Sequence, residues 1–362
     1  MKKLLFAAYS LDIGGIEKAL VTLTNYLCEK GYEITIVLEK KQGIFLKEIN
    51  PKINIIEYNP SNTKNVLKRK AINLLKRIKF IVKYKNKFDF SASFATYSLV
   101  SSFVSRVASK NNCLWVHTNY LTYYKGDINK FKDFFKSINY NKFKHILFVS
   151  KNAKDDFISK FPDDASKSGV LNNLINYKEI NKKAMEKVNY SRAENITIFL
   201  NIGRHEENSK RLTRLIEAIE KLKKDGFQFK VLFVGDGSDN NKYREMVKIK
   251  KLEDYIDFLG IKENPYPYFN ISDCVILTSE YEGYPVVFIE SRVLNKPIIT
   301  TKVSDYKEIE GKYGLVTEKN TEDIYRAMKH FINEGYIIKD KFNPEIYNNE
   351  VISKLEKIFW GI

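Results

Sequence analysis

Ser279-Glu280-Tyr281-Glu282-Gly283-Tyr284-Pro285-Val286-Val287-Phe288-Ile289-Glu290 joins a short apolar run, Cys274–Leu277, to an apolar helical segment, Val286–Leu294. A four-residue apolar run bounded by polar sequence reads as a buried strand. Gly283 and Pro285 read as a loop that ends where a helix can start. Strand, loop and helix in that order are the building unit of a parallel sheet. The helix is apolar, which is unusual on a surface and normal beside a buried site. Glu282 and Glu290 then face one cleft at different depths, and the loop Gly283-Tyr284-Pro285 with the helical turn that starts at Val286 supplies backbone N–H groups to a phosphate, Pro285 excepted. The same spacing also suits two solvated glutamates.

The pattern repeats outward in both directions. Apolar runs at Leu4–Ala8, Ile34–Leu38, Leu114–His117 and Ile146–Val149 precede it, and Ile196–Ile202, Lys230–Val234 and Pro297–Thr300 surround it. Helical spacing falls between them, as in Ile16–Lys30 and Arg211–Lys224. The class is α/β, with two doubly wound units. Polar sequence from Tyr177 to Asn195 is the linker candidate. This divides the chain into residues 1–185, residues 186–343 and a closing helix within 344–362 that packs back on the body.

The 362 residues suit two domains, and 44% hydrophobic with 29% charged residues can build ordinary cores. No run of apolar residues is long enough to cross a membrane. The apolar start, Leu4–Ala8, is too short for a signal peptide and reads as a first strand. Cys28, Cys113 and Cys274 stand singly, as reduced cysteines of a cytoplasmic protein do.

Charge is unevenly spread. Residues 1–190 carry 34 Lys/Arg against 16 Asp/Glu, whereas residues 191–362 carry 27 against 28. An anionic partner for the first half follows from that asymmetry. Lys64 to Lys87 holds ten cations and no acid, among them Lys68, Arg69, Lys70, Lys76 and Arg77. Apolar residues recur there at Leu67, Ala71, Leu74, Leu75, Ile78, Ile81 and Val82, one face of a helix. Two readings stand: a basic amphipathic helix on an anionic membrane, or a core-packing helix with a solvated basic face. A second group, Tyr120 to Lys144, interleaves aromatic and basic residues, which suits a membrane interface, a phosphorylated glycan or single-stranded nucleic acid.

Two further motifs lie at strand ends. Gly14-Gly15 follows the first strand and opens a helix, where glycine admits a close ligand and the free N–H groups suit an anion. Its spacing is not that of a dinucleotide fingerprint. Gly203-Arg204, with Lys210 before the next helix, sets two cations on the carboxyl edge of a sheet, able to clamp a diphosphate or to stand as surface charges.

The chain as a whole resembles the retaining GT-B glycosyltransferases of family 4. Gly14-Gly15-Ile16-Glu17-Lys18-Ala19-Leu20, Trp115-Val116-His117, Val170–Asn176, Gly203-Arg204 with Lys210, Val234–Gly237, Phe258–Gly260 and the E-x7-E signature from Glu282 to Glu290 match that family's segments in order. One departure is Arg211, where the family commonly has glycine after the lysine. The resemblance implies two Rossmann-like domains facing each other across a cleft, the first binding the acceptor and the second the nucleotide-sugar. It further implies that Arg204 and Lys210 hold the diphosphate in place of a metal. Glu290 would bind the ribose, Glu282 would position the donor sugar, Gly15 would let the backbone approach the phosphate, and His117 would lie near the anomeric carbon. Ile261 falls where the family's backbone reads the base.

The expected protein is therefore a metal-independent, retaining transferase with no cofactor. It takes a UDP-sugar as donor and a lipid-linked or anionic glycan as acceptor, peripheral on the inner face of the cell membrane. Rivals are another GT-B enzyme, a phosphorylase or epimerase, and a non-catalytic nucleic-acid binder. The intact Arg204, Lys210, Glu282 and Glu290 set disfavours nucleic acid.

Overall fold

The computed structural model describes residues 2–12, 14–192 and 196–360. Ile13 of the glycine motif and residues 193–195 of the expected linker lie outside the described residues. The chain divides into two compact units, Met1–Ile175 with Ile346–Ile362, and Asn176–Glu345.

The first unit holds a seven-stranded parallel sheet of β1 (Lys3–Ala8), β2 (Glu33–Leu38), β3 (Asn54–Glu57), β4 (Phe90–Ser93), β5 (Asn112–Val116), β6 (His145–Phe148) and β7 (Ser168–Val170), in the order β3-β2-β1-β4-β5-β6-β7. The second holds a six-stranded sheet of β8 (Thr197–Ile202), β9 (Phe229–Val234), β10 (Ile256–Gly260), β11 (Cys274–Leu277), β12 (Ile298–Thr301) and β13 (Gly314–Thr317), in the order β10-β9-β8-β11-β12-β13. Inner strands such as β1 and β9 are near-continuous apolar runs because helices cover both faces. Leu4, Leu5, Phe6, Val231, Leu232 and Phe233 are all fully buried. In each sheet the order reverses once, between β1 and β4 and between β8 and β11. Loops leaving the carboxyl ends of those strands diverge and open a crevice for a ligand.

The expected boundary at residue 185 falls ten residues late. Helix Tyr177–Ala184 belongs to the second unit, where it packs on helices Tyr266–Ile271 and Val286–Val293. Its sequence looks like a linker because only Ile180 and Ala184 are buried. Its last carbonyls are capped from the second unit: Asn264 Nδ2 donates to the Lys183 carbonyl at 2.9 Å and Asn270 Nδ2 to that of Ala184 at 2.6 Å.

The closing helix, Pro344–Trp360, buries Val351, Ile352, Leu355 and Phe359. Asn348 clips it to the first unit, its amide donating to the Ile175 carbonyl at 2.8 Å and accepting from the Ile175 N–H at 3.1 Å. Phe359 meets Phe90 with ring centroids 4.7 Å apart.

The Tyr120 to Lys144 group is mostly core and not an interface. Tyr120, Phe131 and Phe135 are buried and form one cluster with Phe148 and Phe157. Phe131, Phe134 and Phe135 line the inward face of helix Ile128–Ser137, whose lysines lie on its wetter side, while Tyr123 of the preceding short helix is exposed.

The basic segment forms helix Val66–Tyr84, capped by the Asn65 side chain, but its apolar stripe does not pack inward. Phe80 is its one buried residue, set against Tyr58, Tyr84 and Phe103. Asn73 and Ser61 exchange two hydrogen bonds at the same inner face. The core-packing reading of the stripe is therefore wrong.

Candidate functional site

In the second unit the loops flanking the β8/β11 reversal carry the expected cations and carboxylates. Gly203 follows β8, and the Lys210 side chain lies over it: a Cβ on Gly203 would sit 3.4 Å from Lys210 Cε. Arg204 follows, its side chain 63% exposed and paired with Glu206 at 3.1 Å. Lys210 ends the short helix Glu207–Lys210 and donates to Glu282, whose carboxylate also accepts from Ser279 Oγ at 2.7 Å.

Backbone bonds stitch these two loops together. The Glu280 N–H donates to the Ser209 carbonyl at 2.7 Å, and Thr278 Oγ1 to that of Lys210 at 3.1 Å. Below them, Glu280 takes Arg214, with Arg211 and Lys319 close by. Burial works against its charge, but those three cations outweigh burial and hold its carboxyl below the usual range.

Glu290 sits in helix Val286–Val293, which starts directly after Pro285. It is buried and accepts from the Tyr266 phenol at 3.1 Å. Gly283 and Tyr284 are held from behind. Ser304 Oγ donates to the Gly283 carbonyl, and the Tyr284 phenol donates to Glu308 at 2.6 Å while accepting from Arg292 at 3.0 Å. Tyr284 thus offers a ligand its backbone and not its ring. Val286 opens the helix with an unsatisfied N–H, as any first helical residue does. Ile261, 55% exposed, follows Gly260 at the end of β10.

Sequence reasoning missed what fixes these loops. Gly235 follows β9 with φ +141°, and a Cβ there would lie 1.9 Å from the Gly203 carbonyl oxygen. His205 is fully buried, its Nδ1 bonded to Asn240 at 2.9 Å, its N–H to the Asp236 carbonyl and its carbonyl to the Asp239 N–H. Burial lowers its pKa, so it stays neutral and acts as a peg under Arg204. Buried histidines carry no sequence signal that separates a peg from a ligand. The Gly235 signal was present in Val234–Gly237 without its cause.

In the first unit, Gly14 and Gly15 follow β1 beside the β1/β4 reversal and open helix Gly15–Glu29. Gly14 is extended (φ 179°), so no left-handed turn requires glycine there. The tight neighbour is Glu17, whose Oε2 would stand 2.1 Å from a Gly14 Cβ. His117 follows β5 and is buried against Phe94, ring centroids 4.4 Å apart. Burial pushes its pKa down to about 3, and its Nε2 has no hydrogen-bond partner among the described residues. It is a neutral ring with one polar atom uncommitted, suited to a hydroxyl partner and not to a cation's role.

Of the basic-helix residues, Lys68, Arg69 and Lys70 are exposed. Lys76 turns back to the Asn59 carbonyl, and Arg77 lies over the Phe103 ring at 5.3 Å, so these two anchor the helix and do not reach outward together with the others.

Two family models match the chain in tandem: Glycosyltransferase Family 4 over residues 13–179 and Glycosyl transferases group 1 over residues 182–349. Among curated proteins, the chain is 26% identical over 352 residues to the Campylobacter jejuni N-acetylgalactosamine-N,N'-diacetylbacillosaminyl-diphospho-undecaprenol 4-alpha-N-acetylgalactosaminyltransferase, covering 94% of this chain and 92% of that protein. A second Campylobacter jejuni enzyme, a GalNAc-alpha-(1->4)-GalNAc-alpha-(1->3)-diNAcBac-PP-undecaprenol alpha-1,4-N-acetyl-D-galactosaminyltransferase, is 25% identical over 80% of this chain and 77% of its own length. Among solved structures, Anabaena HepE in complex with UDP and glucose superposes with a TM-score of 0.75 at 16% identity, over 98% of this chain and 100% of that one. Staphylococcus aureus TarM superposes with a TM-score of 0.78 at 15% identity, over 99% and 100%.

Proposed function

The chain belongs to the group 1 glycosyltransferases of family 4, and on that premise we propose that it moves a sugar from a UDP-sugar to a lipid-linked glycan, with retention at the anomeric carbon and without a metal. That it is a GT-B transferase of glycan assembly follows from the family and fold; the donor, stereochemistry and acceptor are our reading. One observation carries the donor site: Lys210 lies over Gly203, beside Arg204, and is bound to Glu282 across the strand-order reversal. Two fixed cations there supply the charge that a leaving diphosphate needs, worth more in a partly dry site than in water. Glu282, held by Lys210 and Ser279, presents its remaining lone pairs to sugar hydroxyls. Glu290 fits the ribose hydroxyls, and the helix start at Val286 a phosphate oxygen. His117, neutral and uncommitted at Nε2, fits a hydroxyl group.

The acceptor reading draws on the Campylobacter jejuni relatives, whose names give diphospho-undecaprenol-linked glycans. It agrees with the cationic first half, and it sets the reaction at the inner face of the cell membrane. The test is product formation from a panel of nucleotide-sugars with a polyprenyl-diphosphate-linked glycan, with and without EDTA. We expect transfer from a UDP-sugar, unaffected by EDTA, with an α-linked product from an α-linked donor. Transfer only from a GDP-sugar, inversion, or loss in EDTA would each overturn its part of the reading.

A further inference from the structure

We propose that helix Val66–Tyr84 is a bilayer-insertion surface: its outward apolar stripe enters the headgroup region of an anionic phospholipid membrane, and the lysines along its borders pair with lipid phosphates. At about 100° per residue, Leu67, Ala71, Leu74, Leu75, Ile78 and Val82 fall within about 100° of arc. All are exposed, Leu67 at 80%, Val82 at 79% and Leu75 at 66%. Six of the seventeen large hydrophobic residues exposed among the described residues lie on this one helix. Scattered exposed leucines need no explanation, but a contiguous stripe does.

The borders identify the occupant. Lys68, Lys79 and Lys83 line one side and Lys70 the other, while no acid occurs from Lys64 to Lys87. An apolar strip between cationic rims is the pattern of a helix lying in a membrane interface, with long lysine stems reaching up to the phosphates. A second copy of the same helix fits poorly, because seven cations would face seven cations. Nucleic acid fits poorly too, because the stripe sets aliphatic side chains where phosphates or stacked bases would lie. The inner face, through Phe80, Asn73 and Lys76, fixes the helix to the first unit, so the stripe is held outward and not free to fold back. The proposal does not rest on the transfer reaction, and its test uses no nucleotide-sugar.

The test is flotation of the full chain with vesicles of phosphatidylcholine alone and with about a quarter phosphatidylglycerol, at low and high salt. Two variants are compared, Leu67→Ser with Leu75→Ser and Val82→Ser, and Lys68→Gln with Lys79→Gln and Lys83→Gln. These side chains are exposed, so an unchanged melting temperature in both variants checks the fold. Wild type should bind only the anionic vesicles. The serine variant should bind about tenfold more weakly or less, and what remains should vanish in high salt. The glutamine variant should lose most of the salt dependence. Leu75→Trp should shift its emission to the blue and be quenched by brominated lipid, above the background of the native tryptophans. No binding by wild type, unchanged binding of the serine variant, or no quenching at Trp position 75 would overturn the proposal. So would a wild-type dimer made monomeric by the serine changes, or tighter binding to single-stranded RNA than to vesicles.

Discussion

Arg211 stands in the left-handed region, φ +52° and ψ +44°, between helices Glu207–Lys210 and Leu212–Lys224. The family's glycine at this position has a backbone reason, and arginine bears a cost of about 1 kcal/mol there. Its ion pairs to Glu207 and Glu280, both at 3.5 Å, help to offset that cost. His117 gives the sharper test at this scale. Unfolded, its ring takes a proton below about pH 6.5, whereas in the fold burial delays protonation to about pH 3. The unfolded state therefore binds more protons across that window, and stability falls as pH falls from 6.5. Urea unfolding of wild type should lose about 2 kcal/mol more between pH 6.5 and pH 4.5 than His117→Asn does. His205 and His145, also shifted down by burial, are present in both proteins and cancel in the comparison. Equal slopes would show that His117 is reached by water.

At the scale of elements, the carboxyl-end loops of β8, β9 and β11 behave as one piece. The Gly203 N–H donates to the Val234 carbonyl at 3.1 Å, the Gly235 N–H to that of Gly260 at 3.0 Å, and His205 joins both turns. Gly235→Ala must push the Gly203 carbonyl away, because 1.9 Å is far inside contact distance. We expect a loss of about 2 kcal/mol or more in thermal unfolding and weaker UDP binding, since the displaced backbone carries Arg204. Normal UDP affinity in a destabilised variant would separate the glycine's structural role from the site.

The elements themselves were largely legible. Leu4–Ala8, Cys274–Leu277 and Pro344–Trp360 could be placed within a residue from apolar runs and spacing alone. Strands β3, β4, β7, β10 and β13 were not, because Phe90–Ser93 and Ser168–Val170 are serine-rich and short, and their burial comes from neighbouring strands. The candidate donor-loop residues were legible as a position in the fold, because each lies in a segment after a strand and carries charge or glycine. Their tethers, Ser279, Tyr266, Ser304 and His205, were not, since a hydrogen bond between distant segments leaves no spacing to read. The stripe of helix Val66–Tyr84 was visible as periodicity, but periodicity does not say what an apolar face meets.

At the scale of the whole molecule, charge divides the two halves of the chain. Residues 1–190 carry 34 Lys/Arg against 16 Asp/Glu and the helix proposed to enter the bilayer, while the nearly neutral remainder carries the proposed donor residues. The first unit is also completed from the far end of the chain, by the helix that buries Val351, Leu355 and Phe359. Removing residues 346–362 should therefore unfold the first unit, seen as loss of part of the circular-dichroism unfolding transition, because several kcal/mol of apolar burial go with it. A truncated chain that melts like wild type would contradict that dependence.

The proposed donor site rests on Arg204 and Lys210 binding the diphosphate in the second unit. Lys210 is partly buried on Glu282, so removing it would strand a carboxylate. Arg204 is the cleaner probe, being 63% exposed. The measurement is calorimetric titration of UDP into wild type and Arg204→Gln, in EDTA, with melting temperatures taken in parallel. Wild type should bind UDP and the variant should bind it about tenfold or more weakly, at an unchanged melting temperature. Equal affinity of the two proteins for UDP would contradict it.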